Sequence, residues 1–141
     1  MVDIHRKDVQ YREATATGEI RLKPETLRRI KDGKVEKGDP VQIATLAGIQ
    51  GAKLTPTVIP LCHPIPIEST DIKFEFIDSG LKATATVVAT GKTGVEMEAL
   101  SAVTIALLNI WDVVKMYEKD ADGQYPDTQI SNIRVVKKVK R

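Results

Sequence analysis

From Thr93 to about Lys119 the chain reads as one long helix, and between Ala99 and Val114 it is apolar on almost every side. A helix apolar all round must be covered on more than one face. This single requirement excludes a lone amphipathic helix on a sheet. It calls for cover from the rest of the chain and, beyond what one small sheet can supply, from another subunit. Thr93 and Glu96 stand in capping-box spacing at its start.

The cover is written in the flanking segments. Ile72, Phe74 and Phe76 alternate with Lys73 and Glu75, then Asp78-Ser79-Gly80 supplies a turn, and Leu81, Ala83, Ala85 and Val87 resume the alternation. This is a β-hairpin. Thr17–Leu22 and Ile130–Val136 read as two further strands. Pro24 opens a short helix over Glu25–Lys31 that Asp32-Gly33 ends. Asp39 is a good N-cap before Pro40, and that helix stops near Leu54 because Pro56 disfavours helical geometry at Thr55. Gly48 and Gly51 weaken it but allow another backbone to come close. Residues 1–15 read as a charged arm. Pro56, Pro60, Pro64 and Pro66 leave no regular element between them, and the apolar side chains among them read as a rigid buried segment. The order strand, helix, hairpin, helix, strand is the ferredoxin-like α+β pattern, with helices on one face of an antiparallel sheet. The 141 residues suit a single domain, 1–141.

Composition excludes several classes. Hydrophobic residues make up 42%, too many for a disordered chain, and the net charge of +2 is a weak basis for nucleic-acid binding. One cysteine permits no intrachain disulfide, which fits a reducing, cytoplasmic setting. The polar start is no signal peptide, and no run of about 18 apolar residues predicts a membrane span.

The residues with chemical potential fall in three stretches: Lys53–Pro64, Thr93–Leu100 and Trp111–Lys115. His63 is the only histidine beyond the arm and suits proton transfer near neutrality. Cys62 beside it reads as a packed structural thiol. Glu96 and Glu98 lie two apart on a helix and differ by about 200° in direction, so both cannot aim at one point. Glu96 has a capping role available and Glu98 does not, which favours Glu98 as acid or base. Asp112 and Lys115 share a helix face, as an ion pair or as working groups. The final cluster of Arg134, Lys137, Lys138, Lys140 and Arg141 is a solvated tail or a phosphate-binding strand end.

Together these stretches closely resemble the cyclic pyranopterin monophosphate synthases, the molybdenum cofactor biosynthesis protein C family. The resemblance is carried by Met1-Val-Asp-Ile4, Arg12-Glu-Ala, Lys37-Gly38-Asp39, Ala47-Gly48-Ile49, Ala52-Lys53, Ile59-Pro-Leu-Cys-His-Pro64, Thr93-Gly-Val-Glu-Met-Glu-Ala-Leu100 and Asp112 with Lys115. It implies a hexamer built as a trimer of dimers, with the active site at the dimer interface. It implies conversion of 3′,8-cyclo-7,8-dihydro-GTP to cyclic pyranopterin monophosphate and pyrophosphate. Carried over by motif, the catalytic residues are Lys37, His63, Glu98, Asp112 and Lys115. Substrate contacts fall to Arg12, Lys53, Leu61, Cys62, His63, Glu96, Met97, Glu98 and a lysine on the last strand. No protein metal site is implied, and a magnesium ion carried on the substrate phosphates is the only metal left open. The family commonly ends in a Gly-Gly-Lys-Ser-Gly tail, absent here, so register selects Lys138 for the strand lysine, with Lys137 the alternative. A non-catalytic module binding RNA or nucleotide through the basic end is the competing reading. It lacks the stacking aromatics of an RNA-binding sheet.

Overall fold

A computed structural model describes the whole chain, residues 1–141. The first strand, β1, runs over Gln10–Arg21, and α1 over Pro24–Lys31. Then come α2 (Pro40–Lys53), α3 (Thr55–Val58), β2 (Ile67–Ile77), β3 (Gly80–Gly91), α4 (Glu96–Glu118) and β4 (Gln129–Lys140). The four strands form one antiparallel sheet in the order β2-β3-β1-β4, the ferredoxin-like arrangement expected from the sequence. α4 lies across β1, β3 and β4, and α2 packs beside it over β2.

The core between sheet and helix is made of small residues. Ala14, Ala16, Ala83, Ala85 and Ala89 line the sheet, and Ala99, Ala102 and Ala106 face them from α4, all fully buried. Short side chains on both surfaces draw helix and sheet together, because interiors are packed without voids. The same holds between the helices. A Cβ at Gly48 would fall 2.3 Å from the Ile72 side chain and 3.0 Å from the Ala102 carbonyl oxygen. One at Gly51 would fall 3.1 Å from the Ser101 carbonyl oxygen. The two glycines thus give α2 its close seat on α4.

Several local expectations are corrected. β1 begins at Gln10, inside what the charge pattern suggests is an arm, because Ala14 and Ala16 alternate inward while Glu13 and Thr15 face outward. The hairpin strands are also longer than their hydrophobic alternation, since each is extended by register with its neighbour. The capping box does not form: α4 starts at Glu96 after Val95, with no side-chain cap, and Thr93 stays outside it. Thr55–Val58 makes one helical turn despite Pro56, which sits at its permissive first turn. The proline-rich segment is not buried, for Val58 and Leu61 are 65% and 70% exposed with no element of this chain above them.

By length and mean hydropathy α4 would be long enough to cross a membrane, but half of that stretch is buried in the fold. It is the core helix. Its C-terminal end is held by Glu118, fully buried, whose carboxylate accepts hydrogen bonds from the Lys23 backbone N–H and from the hydroxyls of Thr26 and Thr128. One carboxylate therefore ties the end of α4 to the start of α1 and to the approach to β4.

Candidate active site

Two clefts adjoin at the N-terminal end of α4. The first, about 420 Å³, is lined by Leu61, Cys62 and His63 on one side and Glu96 and Met97 on the other. The second, about 480 Å³, has no hydrophobic lining; Arg6, Lys7, Arg12, Lys138 and Lys140 surround it. Lys7, Thr93, Gly94 and Glu96 form the wall common to both. A larger hollow of about 540 Å³ lies at the far end of β1, around Arg21, Ser79 and Asp127. It brings together none of the chemically distinctive residues.

The basic cleft is assembled by strand register. Ala14, on the core face of β1, pairs with Lys138, so Lys138 is on the helix side of β4 and its ammonium reaches Glu96 Oε1 at 2.6 Å. Lys137 points to the other face, toward Glu13 at 3.7 Å. Arg12 is 7% exposed and its Nε donates to the Gly91 carbonyl at 3.3 Å. Partial burial pushes the Glu96 carboxyl up, but the Lys138 ammonium and the residue's own backbone N–H outweigh it, and the net pKa is below the ordinary value.

Glu98 is in the opposite situation. It is 1% exposed and neither carboxylate oxygen has a hydrogen-bond partner in another residue of the chain. Burial raises its pKa, its own backbone N–H opposes the shift, and the charge of Glu96 adds to it. The pKa values of the two glutamates of one motif are thereby driven apart, one lowered by a lysine and one raised by burial, an arrangement that suits acid–base work. Cys62 is half-buried; burial first, then the charges of Glu98 and Glu96, raise its thiol pKa. That environment disfavours a thiolate nucleophile.

Lys37, Asp112 and Lys115 form a second cluster. Asp112 Oδ2 accepts from Lys37 at 3.2 Å, and Oδ1 is 3.1 Å from Lys115. Hydrogen bonds from Lys115 and then Lys37 lower the Asp112 pKa. This cluster does not meet the clefts within one chain. α4 is continuous from Glu96 to Glu118, and the fourteen residues from Glu98 to Asp112 span about 21 Å. Lys53 ends α2, exposed and without an ion-pair partner, two residues past the contact of Gly51 with Ser101. The sequence reading missed the arm: Val2, Ile4 and Lys7 line the first cleft, and Arg6 and Lys7 the second. The only signal was that Met1–Ile4 and the charges after it belong to one short stretch.

The MoaC family model matches residues 1–140. The chain is 56% identical over 140 residues to a protein of Pyrococcus abyssi, covering 99% of this chain and 88% of the relative. It is 58% identical to one of Thermococcus kodakarensis, with 99% and 90% covered, and 54% identical to one of Sulfurisphaera tokodaii, with 99% and 93% covered. Each of these relatives is named a probable cyclic pyranopterin monophosphate synthase. With part of its motif residues lining two adjoining clefts and a match over nearly its whole length, the chain belongs to the MoaC family.

Proposed function

We propose that this chain converts 3′,8-cyclo-7,8-dihydro-GTP to cyclic pyranopterin monophosphate and pyrophosphate, as a phosphorus–oxygen lyase of molybdenum cofactor biosynthesis. The observation that carries this reading is the shared wall between the two clefts: a cation-lined hollow for a triphosphate abuts one holding His63, Met97 and the only cysteine. Arg12, Lys138 and Lys140 suit the phosphates, and cations at the departing pyrophosphate stabilise its growing charge. A sugar-derived hydroxyl closes on the α-phosphorus as pyrophosphate leaves. His63, Glu98 and Asp112 carry the protons of ring opening and closure. The protein supplies no metal ligands in this scheme; a magnesium ion enters only with the phosphates.

The reading requires Lys37, Asp112 and Lys115 at the same substrate, and these come from a second copy. Met97, Leu108 and Lys115 lie within about 20° of one line along α4, and Met97 and Leu108 are exposed. Two α4 helices crossing antiparallel near Ile105, the midpoint between Glu98 and Asp112, set Glu98 of one chain beside Asp112 of the other. The exposed Val58 and Leu61 give this contact further apolar surface. The dimer is the unit of a trimer of dimers working in the cytoplasm, each subunit one domain over 1–141. The test is direct: purified protein is given the cyclised dihydro-GTP, and pterin fluorescence after oxidation and released pyrophosphate are followed together. Equimolar appearance of both supports the reading, and absence of both refutes it.

A further inference from the structure

We propose that Tyr117 is a positioning residue that holds Lys37 at Asp112; the inference rests on the reading above, in which Lys37 acts on the substrate. Lys37 stands in the irregular connection between α1 and α2. Its ammonium reaches the Asp112 carboxylate at 3.2 Å and the Asp112 carbonyl at 3.3 Å. Side-chain exposures of 41% for Lys37 and 57% for Asp112 leave this pair well solvated. A solvated pair of long side chains does little to order a loop.

The ordering contact is one residue away. The backbone N–H of Glu36 donates to the Tyr117 hydroxyl at 2.9 Å. Tyr117 lies on α4, five residues beyond Asp112 and two beyond Lys115. The backbone beside Lys37 is therefore tethered to the same rigid element that carries both of its cluster partners. The ring is itself fixed: it packs against the core, and the Arg29 guanidinium from α1 lies 4.4 Å from its centroid. Glu118, the next residue, clamps the start of α1. The start of α1 and the centre of the loop after it are thus both referred to the end of α4. Val35 is buried on one side of the tether, and Gly38, with φ of 128°, gives the chain its exit on the other. The ring serves packing and the hydroxyl serves the loop, so Tyr117→Phe separates the two.

The experiment compares Tyr117→Phe with the parent in the full-length protein, by amide hydrogen exchange and by steady-state turnover. Exchange at the Glu36 amide, and at Gly38, whose N–H donates to the Val35 carbonyl at 3.2 Å, is expected to accelerate about fivefold or more, the loss of one ordering hydrogen bond, while α2 and the middle of α4 are unchanged. kcat is expected to fall by about the same factor with KM within about twofold, since the tether orients a group rather than adding a substrate contact. Glu36→Pro removes the donor from the loop side and should reproduce both effects. Unchanged exchange at Glu36 in Tyr117→Phe, or at Gly38 in both variants, overturns the proposal, as does faster exchange with parental kcat. If the parent protein does not turn over the cyclised nucleotide, the functional reading fails by itself, and exchange alone still decides whether Tyr117 holds the loop.

Discussion

Lys138 Nζ lies 2.6 Å from Glu96 Oε1, joining the last strand to the first turn of the core helix across the mouth of the basic cleft. The preceding lysine, Lys137, pairs with Glu13 on the opposite face of the sheet. Lys138→Ala should therefore raise KM for the triphosphate substrate about tenfold, the worth of one good charge-assisted contact. Lys137→Ala should change it less than about twofold. Equal losses in steady-state kinetics would show that the cleft is not where the phosphates bind.

Glu98 gives a pH prediction. Burial raises its pKa above the ordinary 4.5, so the folded protein keeps a proton that the unfolded chain has lost. The resulting stabilisation is complete below the unfolded value and is lost as pH rises through the folded one. Glu98→Gln cannot titrate. Its melting temperature should exceed that of the parent by a few degrees or more near pH 8, with the gap closing toward pH 4. A gap that widens on acidification would reverse the sign and refute the assignment.

Glu118→Ala should be among the most destabilising single changes outside the clefts. It strands the Lys23 N–H and the buried Thr26 and Thr128 hydroxyls without their acceptor. A loss of about 3 kcal/mol follows from leaving several buried donors unpaired at once. Thermal melting should register this as a drop of roughly 10 °C for a chain of this size.

Cys62→Ser should retain at least about a third of parental turnover, because the raised thiol pKa and the neighbouring glutamates argue against a thiolate step. His63→Ala in the same cleft should lose 100-fold or more, on the order of a proton-transfer group. Substrate-protected inactivation by a thiol reagent at Cys62 with complete loss in Cys62→Ser would invert the two roles.

Subunit exchange tests the shared site. Glu98→Gln and Asp112→Asn proteins, each inactive, are mixed and allowed to exchange. Roughly a quarter of the sites in random mixed dimers should then hold both parental residues, and activity should rise accordingly. No recovery after exchange verified by mass spectrometry means that Glu98 and Asp112 do not act on one substrate across the interface.

Much of this fold is legible in the sequence. The hairpin showed in the alternation of Ile72, Phe74 and Phe76, and the α2 start showed in Asp39, whose carboxylate accepts from the Val41 and Gln42 backbone N–H groups. Lys138 rather than Lys137 followed from register, and the strand places Lys138 in the cleft. The first half of β1 was hidden because its inward residues are alanines among charges, a weak hydrophobic signal. Spacing offers Glu96 a capping role because it cannot see Lys138, forty-two residues on, taking its carboxylate. The arm was illegible for a plainer reason. Nothing local tells a polar segment that its Lys7 will stand at the junction of two clefts.

The alanines between α4 and the sheet set a tolerance. In such a gap a single methyl group is the spacer, and Lys138 reaches Glu96 only because strand and helix are held that near. Widening Ala14 or Ala99 to valine would lift the helix like a shim under a beam. Glu96, Glu98 and Asp112 would all move with it, so drift in this core would surface first as lost alignment of these side chains with the residues around them and only later as lost folding.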